Sequence, residues 1–304
     1  MEKNSMPPSR HPASNGTATV EMTLGAHLGQ ALSVRWRDFE GLVKRLRRKV
    51  RKKEVHAVRV TVRRLCALLD LIFETVPISA ATKVRKRLKR CLAALGDLRD
   101  AQVQADTVAD LLEAFPALQA FHQHLDKQVE RLRKKAGRAM QDVSLRRLAR
   151  RRRRLLDDAT PHWTATKDER QRAQTAEAVG RAFSTVLERR TALDMTDLAT
   201  VHKMRIDFKR FRYMVEVLQP FLSGVGSAQL SSMQAFQSMM GDVHDLDVLG
   251  QALNRFREKS GRPARLASVQ DELAQRLLMA ADRFMGASDE IYSFWNQAWF
   301  MERQ

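Results

Sequence analysis

One stretch of eleven residues occurs twice, and its spacing constrains the fold more than any other feature of the chain. The first copy is Val55-His56-Ala57-Val58-Arg59-Val60-Thr61-Val62-Arg63-Arg64-Leu65, and the second is Val201-His202-Lys203-Met204-Arg205-Ile206-Asp207-Phe208-Lys209-Arg210-Phe211. His56 and His202 lie 146 residues apart, and the frame of His, Arg, two adjacent cations and an apolar residue is kept. Apolar residues at Val55, Val58, Val62, Leu65, Leu69 and Ile72 recur in steps of three and four, the period of a helix with one buried face. At about 100° per residue, His56, Arg59 and Arg63 fall on a narrow stripe beside that face. His202, Arg205, Lys209 and Arg212 do the same in the second copy, while Arg64 and Arg210 project from another side. Each copy is therefore read as a helix with a row of cations along the edge of the core.

Composition narrows the class. A chain of 304 residues suggests about two domains. A hydrophobic fraction of 44% supports a sizeable core, and 13 Gly with 8 Pro is low for a β-rich protein. The net charge of +19 and pI near 10.7 call for a polyanionic partner: nucleic acid, polyphosphate or an anionic surface. Cys66 and Cys91 each sit in a helical pattern, which argues against a disulfide framework or a cysteine zinc site. With no run of 18 apolar residues and no signal-peptide core, the expected location is cytoplasmic.

Residues 1–23 are expected to be a disordered tail. A helical pattern follows from Leu24 to about Lys53, with Lys44, Arg47, Arg48 and Arg51 on one face. That face is either solvated or an extension of the His56 stripe, which makes Lys44, Arg48 and Arg51 additional candidates. Further helices are expected over 54–76, 79–95 and 97–115, then one long pattern from Pro116 toward Leu156. This last contains the run Arg150 to Arg154, read as a solvated face. Asp157-Asp158-Ala159-Thr160-Pro161 breaks the pattern and divides the chain into halves at 24–157 and 158–304. In the second half, helices are expected over 168–192 and 198–219, then to Met240, on to about 258, and beyond Pro263 to an aromatic tail that caps the core.

A second motif is also duplicated. Leu95-Gly96-Asp97-Leu98-Arg99-Asp100 matches Met240-Gly241-Asp242-Val243-His244-Asp245 at an offset of 145. Two motifs in the same order and spacing imply an internal duplication: two pseudo-symmetric helical bundles of four or five helices each. Asp97 with Asp100 and Asp242 with Asp245 suit helix N-caps better than a metal site, because Arg99 stands where the second copy has His244. Neither a phosphate-binding glycine loop nor a nucleophile elbow is present.

Together these motifs resemble the CHAD domains, the conserved histidine α-helical domains, over about residues 24–300. The resemblance rests on V-H-x-x-R-[VI]-x-x-[RK]-R-[LF] and G-D-x-x-D-x-x-V, each present twice. It implies an all-α pair of bundles around a basic pore or cleft that binds inorganic polyphosphate, and an association with polyphosphate granules. Many such domains are fused to a CYTH triphosphatase domain. These 304 residues leave no room for one, so triphosphatase chemistry is not implied. Cys66 stands where the second copy has Arg212, so the first stripe lacks its fourth cation.

The residues support such a ligand on their own terms. Polyphosphate is a linear polyanion without bases, and helix positions i, i+3, i+7 and i+10 supply donors over about 15 Å. Arginine forks match phosphate oxygens, lysine adds a point charge, and a bound polyanion raises the pKa of a neighbouring imidazole. A single core-edge histidine would be unremarkable, but the same histidine heading two cation rows favours binding. The expected site is His56, Arg59, Arg63, His202, Arg205, Lys209 and Arg212, with no metal, no cofactor and no catalysis. Sequence-independent nucleic-acid binding is the first alternative, opposed by 6% aromatics that leave few rings for base stacking. A metal-dependent phosphohydrolase is the second.

Overall fold

The computed structural model describes residues 22–76, 78–260 and 266–300. Most of the expected tail, Pro77 and the Gly261-Arg262-Pro263 breaker lie outside them. The described residues form helices and no strand, so the all-α expectation holds. The helices are α1 (Leu24–Arg48), α2 (Lys52–Thr75), α3 (Ser79–Ala94), α4 (Gly96–Leu111), α5 (Gln119–Gln141), α6 (Leu145–Ala165), α7 (Asp168–Thr191), α8 (Ala199–Leu218), α9 (Ser227–Ser260) and α10 (Ala267–Gly286). Short 3-10 turns cover Pro116–Leu118, Gln219–Phe221, Ser288–Ser293 and Gln297–Phe300.

The stripe helices α2 and α8 form the centre. Their apolar rows are in register: Val55, Val58, Val62, Leu65, Leu69 and Ile72 on α2 answer Val201, Met204, Phe208, Phe211, Val215 and Leu218 on α8, six pairs at the same 146-residue offset. All twelve side chains are buried in one core. Each removes apolar surface worth about 1.5–3 kcal/mol from water, which anchors both helices in the core. α2 packs between α1 and α3, α8 packs between α7 and α9, and the two touch each other. A smaller core, including Val108, Phe121, Leu253 and Val269, joins the far ends of α4, α5, α9 and α10.

Ion pairs across the central pair follow the same register. Arg64 donates from Nε to Glu216 at 3.1 Å, and Arg210 donates from Nε to Asp70 at 2.7 Å. Arg64 and Arg210 are related by the 146-residue offset, and so are Asp70 and Glu216. The projection of both arginines away from the stripes is thus explained. Each reaches across to the other helix.

Several boundaries differ from the sequence expectation. The first pattern does not run on to Lys53: α1 ends at Arg48, where Lys49 is extended, and α2 begins at Lys52. Arg47 closes the corner by donating to the carbonyls of Met140 at 3.0 Å and of Val143, placing a cation at the C-terminus of α5. The pattern from Pro116 to Leu156 is two helices, because Ser144 caps a new start by accepting from the Arg147 amide.

Nor is there a break at Asp157 to Pro161. Helix α6 continues to Ala165 with Pro161 inside it, so the divide at 157/158 falls within a helix. Proline costs an interior helix about 3 kcal/mol, and tertiary anchors hold the last turns. Trp163 lies so close to Gly25 that a methyl there would be 2.6 Å from it. Its indole donates to Thr75 at 3.1 Å, and the Gln171 amide donates to the Trp163 carbonyl at 2.9 Å. The aromatic tail caps the core as expected, with Phe294 and Phe300 buried and Tyr292 exposed.

Candidate anion-binding cavity

Packing α2 against α8 turns their cation rows toward a shared cavity of about 470 Å³. His56, Arg59 and Arg63 enter it from α2, and His202, Arg205 and Lys209 from α8. Six of the seven residues expected from the stripes are therefore brought together. Lys44, Arg48 and Arg51 are exposed and do not line this cavity.

Arg212 is the stripe residue that departs. It is 5% exposed and turns away from the cavity into the protein. There it is ion-paired with Glu216 one turn on, donates to Gln237 at 3.0 Å, and lies 4.7 Å from the centre of the Tyr213 ring. Glu216 thus bridges Arg64 and Arg212, which places a partly buried carboxylate between two guanidinium groups. Cys66, its counterpart on α2, does line the cavity. Burial pushes the Cys66 thiol up to about 11, so it faces the cavity as a neutral group.

The cavity is short of counter-charge. Asp70 is taken up by Arg210 and by Arg85, which donates at 3.2 Å. Asp100 and Asp245 are the remaining carboxylates of the lining, and burial holds Asp245 above the usual carboxylate range. Arg59 donates to the Leu92 carbonyl at 3.1 Å, near the C-terminal end of α3. Arg63, Arg205 and Lys209 make no side-chain hydrogen bond or ion pair among the described residues. The Arg205 Nε and His202 Nδ1 atoms are buried without a partner.

Desolvation and mutual repulsion disfavour the charged forms. Burial, then Arg63, brings Arg59 down to about 10. Burial, then Arg205 and Arg63, brings Lys209 down to about 6. His56, His202 and His244 are all lowered, in each case first by burial and then by neighbouring charges. The His202 and His244 rings lie 4.1 Å apart, centre to centre. An anion entering this space would supply the missing charge and stabilise every one of these cations.

The second motif serves the same cavity. Gly96 and Gly241 lie beside the arginines of the first motif. An added methyl would stand 3.5 Å from the Arg59 guanidinium and 3.4 Å from the Arg205 guanidinium, ordinary van der Waals distances. Arg99 and His244, at matched positions of that motif, line the cavity with Asp100 and Asp245.

The expected helix caps are not formed. The α4 cap position is Leu95 without a side-chain bond, and Asp242 lies inside the continuous helix α9. Instead Asp97 pairs with Lys135 of α5 at 3.5 Å, and Asp242 pairs with Arg283 of α10. Among the described residues, no group of three or more His, Cys, Asp or Glu side chains could hold a metal ion.

Sequence reasoning missed Arg85, Lys89, Arg99, Arg210 and His244 as lining residues. Arg99 and His244 were detectable, because they recur in register within the second motif. Arg85 and Lys89 carry no such signal, since the offset of 146 leads to Ser231 and Ala235.

The described residues together define an all-helical fold with a central cation-lined cavity. The CHAD domain family model matches residues 30–254, and the chain belongs to that family. The fold resembles the crystal structure of the CHAD domain from the plant Ricinus communis, with TM-score 0.63 at 18% identity over 93% of each chain. It also resembles PptA from Streptomyces chartreusis, with TM-score 0.61 at 15% identity over 88% of this chain and 99% of that one. At these identities the likeness is one of fold. No curated protein sequence matches the chain. No helix among the described residues is long and apolar enough to cross a membrane.

Proposed function

We propose that the chain binds inorganic polyphosphate in the cavity between α2 and α8, through His56, Arg59, Arg63, His202, Arg205 and Lys209. The observation that carries this reading is the convergence of two repeated cation rows on one cavity whose carboxylates cannot balance them. Each row runs from i to i+7, about 10 Å along its helix, a length suited to several consecutive phosphates. Arginine forks and lysine supply charge-assisted bonds to the oxygens, and the histidines become donors on both nitrogens once the polyanion raises their pKa and they take up a proton from solvent. Family membership points the same way.

The in-register apolar rows and the reciprocal pairs Arg64–Glu216 and Arg210–Asp70 support an origin by internal duplication with a pseudo-two-fold axis. Binding without catalysis is part of this proposal, as is a cytoplasmic location at polyphosphate granules. Competition decides between ligands. Polyphosphate should remain bound against single-stranded and duplex DNA at equal phosphate concentration and physiological salt. Displacement by DNA would make the protein a nucleic-acid binder. Release of orthophosphate with Mg²⁺ or Mn²⁺, lost on Asp100→Asn or Asp245→Asn, would make it a phosphohydrolase.

A further inference from the structure

A second basic cavity, of about 340 Å³, lies where α3 meets α6 and the turn before it. Arg87 and Arg90 enter it from α3, Arg147 and Arg151 from α6, and Asp142 is its one carboxylate. None of these four guanidinium groups makes a side-chain hydrogen bond or ion pair among the described residues. Four like charges in one concavity repel each other, and neither α3 nor the first three turns of α6 carries an acid to relieve them. Part of the five-arginine run is therefore not simply a solvated face, because Arg151 belongs to a shaped concavity shared with another helix.

The two cavities are the two flanks of one helix. Helix α3 carries Lys83, Arg85, Lys86, Arg87, Lys89 and Arg90 and no acid. Arg85 and Lys89 line the central cavity, whereas Arg87 and Arg90 line the second. At about 100° per residue, exposed Lys86 falls between those two flanks. A band of cations thus passes over α3, a distance set by one helix about 10–12 Å across. A flexible, uniformly charged chain can follow such a band, and guanidinium forks suit its phosphate oxygens at the far end.

We propose that the cavity between α3 and α6 is a second anion site, which holds a further stretch of the polyphosphate chain seated in the central cavity. This rests on the polyphosphate reading of the central cavity. It adds a property that reading does not contain: discrimination by chain length. A short chain fills the central cavity alone. A long chain engages both sites, and the second engagement is intramolecular, so affinity rises steeply once the chain can cross α3.

The test compares tripolyphosphate with long-chain polyphosphate by titration calorimetry at one salt concentration. The variants are Arg90→Ala with Arg147→Ala, and as a control of equal charge Arg153→Ala with Arg154→Ala, which are exposed outside the second cavity. Thermal melts check that both retain the fold. The expected result is unchanged tripolyphosphate binding in both pairs. Long-chain affinity should fall about tenfold or more in the Arg90/Arg147 pair and much less in the control. Equal long-chain losses in the two pairs, or none in the first, would overturn the second site.

A triple variant, Arg59→Ala, Arg205→Ala and Lys209→Ala, separates this inference from the one beneath it. If that triple leaves tripolyphosphate binding intact, the central-cavity reading fails, while the Arg90/Arg147 comparison still decides the second site. Single-stranded DNA that displaces long-chain polyphosphate only from the Arg90/Arg147 side would overturn the assignment of its ligand.

Discussion

The Asp70 carboxylate on α2 accepts from Arg210 on α8 at 2.7 Å, and the same relationship recurs with the helices exchanged, Arg64 reaching Glu216. The cavity cations depend on this cross-tie, because Asp70 also holds Arg85 and leaves the rows above it unneutralised.

Replacing Asp70 should therefore destabilise the fold. Asp70→Asn removes a carboxylate that is 9% exposed and leaves two arginines facing each other. The arginines retain some access to water, so the expected cost is on the order of 2 kcal/mol, below that of a fully buried pair. Chemical denaturation measures it, and a loss under about half a kcal/mol would reduce the cross-tie to a surface pair.

Arg212 separates stability from binding. Arg212→Ala removes a buried guanidinium and leaves the partly buried Glu216 with the half-exposed Arg64 alone, which should cost about 1.5–3 kcal/mol. Because Arg212 does not line the cavity, the folded variant should bind polyphosphate within a few-fold of the parent. A hundredfold loss of affinity at unchanged stability would restore Arg212 to the binding row.

Cavity charges should matter far more than equal charges elsewhere. Arg59→Ala, Arg205→Ala and Lys209→Ala together are expected to lower polyphosphate affinity on the order of a hundredfold or more, since charge-assisted bonds are worth about 1.5–3 kcal/mol each. Arg150→Ala, Arg153→Ala and Arg154→Ala remove three exposed charges and should cost much less, through net field alone. Binding isotherms at a single salt concentration provide the comparison. Equal losses would leave a basic surface without a site.

Binding should take up protons. Lys209, desolvated by burial and surrounded by Arg205, Arg63, Arg212 and Arg59, has a pKa of about 6 in the unliganded protein, against an ordinary 10.5. A bound polyanion raises that value, so above pH 6 the complex holds a proton the free protein lacks. Affinity should fall as pH rises from about 6 toward 9, and below pH 6 this contribution levels off. The stability of the unliganded protein should run the other way. Its folded pKa lies below the unfolded one, so the unfolded chain binds more protons between about 6 and 10.5, and stability rises with pH across that window. Calorimetry in buffers of different ionisation enthalpy measures the uptake. Lys209→Met should flatten both slopes.

Much of this was legible along the chain. The 3.6-residue period places His56, Arg59 and Arg63 beside the Val55–Ile72 apolar row wherever the helix is put, because it depends only on local backbone geometry. Recurrence of the motifs at matched spacing showed that two such rows exist and that a second motif accompanies each. What periodicity cannot show is which way a side chain turns where two helices cross. Arg212 occupies the stripe position, yet the nearby Glu216, Gln237 and Tyr213 draw it inward. The same ambiguity governs the breaks. Gly96 opens a helix while Gly241 lies inside one, and Pro161 stays helical because Trp163 is anchored against Gly25 and Thr75. Local sequence determined the helices and their cation rows. Only tertiary packing decided which cations share a cavity, since burial and repulsion arise between elements far apart in the chain.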